Sequence, residues 1–273
     1  MKGAFFALLF LGFIYLFMIS PRMFGKPDRS QFRGVHYAHR GLFDNQSDSP
    51  ENSLSAFQKA VENGYGIEFD VQLSKDKIPV VFHDLSLKRM CGIEGNVCDY
   101  TLQELQMMKL KDSEQTIPTL EQVLEVVGGK VPLIIEYKMD IVDTLVCELG
   151  NAILENYSGV YCIESFHPWA VKWYKENRPD ILRGQLSENY ANDPEKYQGF
   201  QFWIMKNLLT NFLTRPDFIA YKHSDADVFS RKVCTWLGAL PVAWTIKNQD
   251  DYENAKASYE LFIFDSCILV DDK

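Results

Sequence analysis

Short apolar runs alternate with amphipathic stretches along the chain from Gly34 onward. β-Branched and aromatic residues dominate the runs, and the stretches between them repeat their apolar positions at the spacing of a helix. The sequence therefore predicts nine strands, at residues 35–39, 66–73, 79–83, 132–137, 160–166, 182–186, 217–221, 241–246 and 261–265. This alternation is typical of repeated βα units around a parallel sheet.

The second and third predicted strands lie too close together in sequence to be parallel neighbours. Only residues 74–78 separate them, whereas a parallel crossover needs about a dozen residues or more. We therefore predict a β-hairpin insertion, which leaves eight strands for an α/β fold of the (β/α)8 TIM barrel class. An open doubly wound sheet is the alternative, because the number of strands does not establish closure.

The N-terminal segment differs from the rest of the chain. Residues 4–19 are uncharged and mostly large and apolar, which as a helix of about 24 Å is at the short end of what crosses the hydrocarbon layer. We predict one transmembrane helix, a single-pass anchor at the cell membrane, within an anchor and linker over residues 1–30, followed by one barrel domain over residues 31–273. A cleaved signal peptide is the competing interpretation, although no small-x-small cleavage pattern precedes Pro21.

The orientation of this anchor has two interpretations. Basic residues are denser after the segment than before it, at Arg22, Lys26, Arg29 and Arg33 against Lys2. This asymmetry favours a cytoplasmic catalytic domain. A short anchor with one lysine in front also inserts as an ordinary signal-anchor, which would place the domain outside the membrane.

Composition and charge exclude two classes of protein. Hydrophobic residues make up 47% of the chain and charged residues 24%, so the body lacks the signature of disorder. The formal net charge is -9, and no basic block is present, so we expect no nucleic-acid partner.

The six cysteines lack CxxC spacing, which argues against zinc. Cys147, Cys162 and Cys267 lie in apolar runs and are predicted to be buried, whereas Cys91 and Cys98 flank a loop and could pair in an oxidising compartment.

Acidic residues stand at or just beyond the ends of apolar runs in two predicted strands, and a barrel enzyme presents its catalytic groups at such run ends. Glu68 and Asp70 are two residues apart on one strand, so their side chains face the same side. Glu136 ends the next barrel strand. Because apolar residues surround all three carboxylates, they need a partner, and we predict that they hold one divalent cation, Ca²⁺ or Mg²⁺.

Two histidines, His39 and His83, also end predicted strands. Two imidazoles facing one phosphate can act as general acid and general base, and the sequence leaves open which is which. Arg40 and Lys138 are predicted to bind the phosphate, with salt bridges to the same carboxylates as the alternative.

Three further residues are predicted to line the substrate site. Glu51 and Asn52 open the first predicted helix, so helix capping is the alternative to a contact with substrate. Trp244 ends a late strand and would form a wall of the pocket or pack in the core. The apolar stretch at residues 200–213 is predicted to be a buried barrel helix or lid, or else a contact with lipid near the anchor.

At these residues the chain resembles the glycerophosphodiester phosphodiesterase family. The likeness spans nearly all of the chain from Val35 to Asp265. It rests on His39-Arg40-Gly41, Pro50-Glu51-Asn52-Ser53, Ile67-Glu68-Phe69-Asp70-Val71, Pro79-Val80-Val81-Phe82-His83-Asp84, Ile117-Pro118-Thr119-Leu120 and Ile135-Glu136-Tyr137-Lys138. The resemblance implies a barrel, a divalent cation held by Glu68, Asp70 and Glu136, and His39 and His83 as acid and base. It also implies cleavage of small glycerophosphodiesters to glycerol 3-phosphate and an alcohol.

Two segments depart from the pattern of that family. The hairpin turn reads Ser74-Lys75-Asp76-Lys77 where the family usually ends in glycine, and the last strand reads Phe264-Asp265-Ser266 where the family tends to have Thr-Asp followed closely by proline. We expect both to affect the turn and the pocket rim rather than the chemistry. A phospholipase-type relative acting on intact lipids and a non-catalytic barrel that binds head groups are the alternative functions, and the oligomeric state stays open.

Overall fold

The computed structural model describes residues 2–139, 142–265 and 269. Its strands are β1 (His36–His39), β2 (Gly66–Leu73), β3 (Pro79–Val81), β4 (Leu133–Tyr137), β5 (Tyr161–Ser165), β6 (Arg183–Ser187), β7 (Phe218–Lys222), β8 (Leu240–Ile246) and β9 (Leu261–Phe264). Its α-helices are α1 (Lys2–Ile19), α2 (Leu54–Glu62), α3 (Lys88–Cys91), α4 (Leu102–Leu105), α5 (Leu120–Val127), α6 (Leu145–Leu154), α7 (Pro168–Asn177), α8 (Phe200–Lys206), α9 (Asn211–Thr214), α10 (Phe229–Trp236) and α11 (Gln249–Lys256).

Eight parallel strands close into a barrel, which confirms the predicted (β/α)8 fold. The strands follow one another around the barrel in the order β1, β2, β4, β5, β6, β7, β8 and β9. Strand β1 closes the ring, because Tyr37 pairs with Gly66 of β2 on one side and with Ile263 of β9 on the other. The alternative of an open doubly wound sheet is therefore wrong.

Strand β3 forms the predicted hairpin with β2. It is antiparallel to β2, with Val71 opposite Val81. Strand β3 ends at Val81, so His83 lies in the loop after the strand rather than at its end, contrary to our prediction. In the turn, Lys77 has a φ of 65°. A glycine adopts this left-handed conformation at lower cost, so the lysine keeps a turn geometry that glycine would fit better.

The other predicted strands agree with the observed ones to within one residue at each end. Helices α2 and α5 are present as expected, and Ser53 and Thr119 cap them by accepting hydrogen bonds from backbone N–H groups of their first turns. Because Ser53 is the cap of α2, the capping interpretation of Glu51 and Asn52 is wrong.

Apolar residues close one end of the barrel. Phe32, from the segment before β1, packs with Tyr37, Ile134 and Leu240 among the buried residues of this cluster. The N-terminal ends of the strands are therefore closed by side chains, and the polar residues of the interior are gathered toward the C-terminal ends, where active sites of this fold occur.

The described cysteines follow the expected burial. Cys147 and Cys162 are buried, and Cys91 and Cys98 are free thiols. Cys267 and Ser266 lie outside the described residues. The stretch at residues 200–213 is divided into the short helices α8 and α9, with Leu208 at a φ of 55° between them.

Candidate active site

Three carboxylates meet in the barrel interior. Glu68 and Asp70 lie on β2, and Glu136 is the register partner of Asp70 on β4. All three side chains are buried, and one oxygen of each lies within 4.8 Å of the others. Oxygen ligands about 2.3–2.6 Å from one Ca²⁺ ion are at most about 5 Å apart. The donor type and the spacing therefore fit a single hard divalent cation.

Lys138 bridges two of these carboxylates. Its Nζ lies 2.9 Å from Asp70 Oδ1 and 2.7 Å from Glu136 Oε2. Burial opposes the charge of Lys138, but the two carboxylates outweigh it and raise its pKa above the usual value. Burial likewise opposes ionisation of Asp70, yet Lys138 and the other nearby cations hold its pKa well below normal. The structure thus shows the salt bridge that was the alternative for Lys138, and its contact with phosphate stays a prediction.

The remaining two carboxyl groups have the opposite tendency. Burial, followed by the negative charge of Asp70, raises the pKa of Glu68 well above its usual value. Burial also raises the pKa of Glu136, and Lys138 only partly offsets this. Ionised carboxylates in such a site are stable only when positive charge lies close to them.

His39 ends β1 beside the carboxylates. Its Nε2 lies 3.8 Å from Glu68 Oε2, and its Nδ1 lies 3.6 Å from Asp265 Oδ1. Burial and the neighbouring Arg40 lower the pKa of His39, while Asp265 opposes that shift. Asp265 belongs to the last-strand segment that departs from the family pattern, and this contact places it at the site. The expectation that the departures affect the pocket rim rather than the chemistry stays a prediction.

His83 reaches the same region because β3 runs back along β2. The N–H of Phe82 donates to the carbonyl of Asp70 over 3.0 Å. This bond places the next residue, His83, level with the three carboxylates. His83 Nδ1 lies 2.6 Å from Asp84 Oδ1. Gln72 supports this loop, because its Nε2 donates to the carbonyls of Phe82 and Asp84, each over 2.7 Å.

Arg40, Glu51 and Asn52 form a second layer against the carboxylates. Arg40 donates to Glu51 over 2.7 Å and has its Nε 3.7 Å from Asp70 Oδ2. Asn52 Nδ2 donates to Asp70 Oδ2 over 2.9 Å. Burial alone would raise the pKa of Glu51, but hydrogen bonds from Arg89 and the charge of Arg40 lower it to about 2.

The sequence analysis missed Arg89 and Glu164. Arg89, on α3, donates to both oxygens of Glu51 over 2.7 Å and to Asp84 over 2.6 Å. Arg89 was missed because it lies neither at the end of a predicted strand nor in a predicted amphipathic helix. Glu164 is the register partner of Glu136 on β5 and is 1% exposed. A carboxylate inside the apolar run of β5 was a usable signal, and it is the same one that identified Glu68.

Two adjoining cavities open at this end of the barrel. The smaller, of about 100 Å³, is lined by both histidines and by Arg40, Glu68, Glu164 and Trp244. The larger, of about 540 Å³, shares His83, Glu136, Lys138 and Phe166 with it and also includes His167. Trp244 lies within β8, and its ring meets Phe166 edge-on with centroids 5.4 Å apart. This arrangement fits the predicted pocket wall.

Comparisons with known proteins identify relatives of this chain. The glycerophosphodiester phosphodiesterase of Caldanaerobacter subterraneus is 38% identical over 229 residues, which cover 79% of this chain and 87% of that protein. Glycerophosphodiester phosphodiesterase 1 of Bos taurus is 29% identical over 311 residues, which cover 98% of this chain and 89% of that protein. The structure of an Oleispira antarctica phosphodiesterase in complex with sn-glycerol-3-phosphate has the same fold, with a TM-score of 0.70 and 23% identity over 86% of this chain and 94% of that one.

A match to one protein-family model covers most of the chain. The model of the glycerophosphoryl diester phosphodiesterase family matches residues 39–265, from the first histidine of the site to the aspartate that faces it. That range contains every strand of the barrel after β1 and the site residues His39, Glu68, Asp70, His83 and Glu136. The chain therefore belongs to the glycerophosphoryl diester phosphodiesterase family.

Proposed function

We propose that this protein hydrolyses glycerophosphodiesters to glycerol 3-phosphate and an alcohol. The observation that carries the proposal is the convergence of His39 and His83 on one small cavity that also contains Glu68 and Glu136. Family membership and the glycerol 3-phosphate bound to the Oleispira relative support the same substrate class. The reaction belongs to lipid and glycerol metabolism.

The residues of the site divide the chemistry among them. Glu68, Asp70 and Glu136 would hold a divalent cation, Ca²⁺ or Mg²⁺, which would neutralise and polarise the phosphate. Arg40 and Lys138 supply further positive charge against the phosphate oxygens. One histidine removes a proton from the attacking hydroxyl, and the other protonates the leaving oxygen. The contact of Asp84 with His83 Nδ1 leaves Nε2 of that ring for proton transfer.

Arg40 and Lys138 also offset the repulsion between the acidic protein and its anionic substrate. The chain has a formal net charge of -9, so an anionic diester meets long-range repulsion as it approaches. Arg40 and Lys138 are both mostly buried at the cavity, where their charges act over short distances in a medium of low dielectric. Substrate binding therefore depends on these two side chains rather than on the overall charge.

The nucleophile has two candidates, and one measurement separates them. Water attacks the phosphorus directly and gives glycerol 3-phosphate in one step. Alternatively, the neighbouring hydroxyl of the substrate glycerol attacks first and gives a cyclic phosphate, which water then opens. Detection of a cyclic glycerophosphate during single turnover supports the second route, and its absence supports the first.

The central experiment measures release of glycerol 3-phosphate from glycerophosphocholine by the full-length protein. We expect EDTA to abolish release, and Ca²⁺ or Mg²⁺ to restore it. His39→Ala and His83→Ala should each lower kcat by about 10² to 10⁴-fold, and Glu68→Ala should weaken the response to added metal. His223→Ala is the matched control, because His223 lies near Asp251 on another loop. Full turnover in EDTA would show that the mechanism does not use a metal. Full activity of the histidine variants would show that His39 and His83 are not the acid and base.

The same assay separates the alternative functions. A phospholipase-type enzyme would cleave phosphatidylcholine as readily as glycerophosphocholine. A head-group-binding barrel would bind glycerophosphocholine without turnover. We expect cleavage of the deacylated substrate, because the smaller cavity at the histidines has a volume of only about 100 Å³.

We further propose that helix α1 is a retained single-pass anchor in the cell membrane. Its length and composition suffice for a membrane span. Retention after alkaline washing of membranes, together with an intact N-terminus by mass spectrometry, supports the anchor. A mature N-terminus after Ser20 would show that the helix is a cleaved signal peptide.

A further inference from the structure

The last turn of helix α1 is fixed to the barrel rather than joined to it by a free linker. Arg215 donates to the carbonyls of Phe17 and Ser20, each over 2.9 Å. Asn211 Nδ2 and Cys234 Sγ both donate to the carbonyl of Ile19, over 2.8 and 3.1 Å. These bonds satisfy the carbonyls that the end of a helix leaves without partners. The barrel and the helix therefore keep one orientation relative to each other.

The direction of α1 follows from its contacts with α10. The ring of Tyr15 stacks on Phe229, with centroids 6.3 Å apart, and Phe229 is the first residue of α10. Because α10 follows β7, it begins at the C-terminal end of the barrel, where the cavities open. Ile19 contacts Cys234, which lies further along α10 toward the opposite end. Helix α1 therefore runs parallel to α10, and its earlier residues project beyond the end that carries the active site.

The projecting part of α1 is short for a membrane span. Residues 2–14 are all exposed, and thirteen residues of helix measure about 20 Å against a hydrocarbon thickness of about 30 Å. A short span is accommodated by local thinning of the bilayer, and placing the surface at its base within the interfacial region reduces the mismatch further. The base of the projecting part is the C-terminal end of the barrel.

Large exposed aromatic side chains lie at that end. We name Phe200, Trp203 and Phe229 the aromatic rim; they are 68%, 52% and 67% exposed, respectively. Helix α8, which carries the first two, is held at this level because Ser187, the last residue of β6, donates to the carbonyl of Met205 over 2.9 Å. Ser230, in the first turn of α10, lies 3.4 Å from the carbonyl of Lys206 and so keeps Phe229 beside α8.

We propose that the aromatic rim is inserted into the bilayer interface and that the mouth of the active site faces the membrane. The partner is a lipid surface, because the rim is continuous with the apolar helix α1 and aromatic residues favour the interface. This inference rests on the proposed retention of α1 as an anchor. The enzyme would then receive its substrate from the surface of the membrane that holds it.

The basic residues after α1 lie at the other end of the barrel, as this orientation requires. Lys26 and Arg29 donate to the carbonyl of Gly238, over 2.6 and 3.1 Å, and Gly238 precedes β8. The backbone N–H of Arg22 donates to the carbonyl of Pro216, which precedes β7. These cations bind the closed end of the barrel, so the chain from α1 to β1 leads away from the proposed membrane surface.

Quenching by brominated lipids tests the orientation in the full-length protein. The protein is reconstituted in phosphatidylcholine vesicles with and without bromine on the acyl chains, and tryptophan emission is compared. We expect Trp203→Phe to lower the quenched share roughly twofold, because an interfacial indole lies close to the bromines. Trp236→Phe is the matched control, since Trp236 is 81% exposed but ends α10 at the opposite end of the barrel.

The outcomes separate this inference from the anchor proposal. Release of the protein by alkali would contradict both. Retention with no contribution of Trp203 to quenching would contradict only the membrane-facing rim, and a concentration-dependent dimer in that case would assign the rim to a second copy of the chain. A quenched share that falls equally in both variants would contradict the orientation.

Discussion

The carboxyl group of Glu164 lies among other acidic groups in the barrel interior. Burial and the neighbouring charge of Glu136 raise its pKa well above the usual value. Its Oε2 has no hydrogen-bond partner among the described residues. A buried group of this kind costs free energy when it ionises, and the cost is paid by the folded state alone. Glu164 therefore makes the stability of the metal-free protein depend on pH.

We predict that Glu164→Gln stabilises the metal-free protein at pH 8 but not at pH 4. At low pH the carboxyl is protonated in both the folded and the unfolded chain, so it adds no pH-dependent contribution. As the pH rises above about 4.3, the unfolded chain ionises first, and the wild type loses stability until the folded-state pKa is passed. Each unit of raised pKa corresponds to about 1.4 kcal/mol, or about 3 °C or more in melting temperature.

Melting temperatures of both proteins in EDTA at the two pH values check this prediction. Glutamine keeps the size of the side chain, so a difference that is equal at both pH values would point to packing and contradict the electrostatic explanation. The neighbouring surface variant Glu155→Gln is a control, because Glu155 is a largely exposed carboxylate outside the barrel.

At the scale of elements, the short helix α3 joins two parts of the site that are distant in sequence. Arg89 binds Glu51, which in turn binds Arg40, and it also binds Asp84, which contacts His83. The guanidinium of Arg89 contacts both oxygens of each carboxylate, so it fixes their planes as well as their positions. The helix thus positions Arg40 and His83, the proposed phosphate cation and one of the two proposed catalytic histidines, from outside the barrel.

We predict that Arg89→Ala lowers kcat about tenfold or more while the fold persists, because residues that orient catalytic groups commonly have effects of this size. The measurement is the steady-state release of glycerol 3-phosphate together with a thermal melt. Lys88→Ala is the matched control on the same helix, since Lys88 pairs with the exposed Glu94. An unchanged kcat in Arg89→Ala would show that Glu51 and Asp84 keep their positions without it.

The elements also show what the sequence alone could predict. Strands buried on both faces are continuous apolar runs, so their positions and the hairpin between β2 and β3 followed from pattern and spacing. Strand β3 is the exception, because the apolar Phe82 continued the predicted run although the strand ends at Val81. The break between α8 and α9 at Leu208 could not be predicted either. A leucine in a left-handed conformation has the same hydrophobicity as a leucine within a helix, so the pattern does not change there.

The candidate site was predictable where polar residues interrupt buried strands. Glu68, Asp70, Glu136, His39 and His83 come together as expected. Arg89 and Asp265 escaped because their roles depend on tertiary neighbours, namely a helix packed against the loop of Glu51 and the first strand beside the last. Helix capping, the alternative interpretation of Glu51 and Asn52, was wrong because the adjacent Ser53 accepts the capping hydrogen bond from the N–H of Ala56.

Helix α1 has two parts that differ in their packing against the barrel. Residues 2–14 are all exposed, and none of them belongs to the buried core. The last turn belongs to the barrel, because Ile19 is fully buried among core residues and its carbonyl is bound by the buried Asn211. We therefore propose a boundary inside the helix, between residues 14 and 19, in place of the predicted boundary at residue 30.

We predict that two truncations on either side of this boundary differ in stability. A protein beginning at Tyr15 keeps the contacts of Ile19 with Asn211 and Cys234, whereas one beginning at Pro21 leaves an apolar pocket and the buried amide of Asn211 without them. The shorter protein loses the buried Ile19 side chain and the hydrogen bonds that Arg215, Asn211 and Cys234 make to the last turn of α1. Loss of the isoleucine and of the buried bond from Asn211 should by itself lower the free energy of unfolding by roughly 3 kcal/mol. Urea unfolding followed by circular dichroism measures the difference, and both proteins should still cleave glycerophosphocholine below the transition. Ile19→Ala in the longer protein should reproduce most of the loss; equal stability of the two truncations would mean that α1 contributes nothing to the barrel and would return the boundary to the linker.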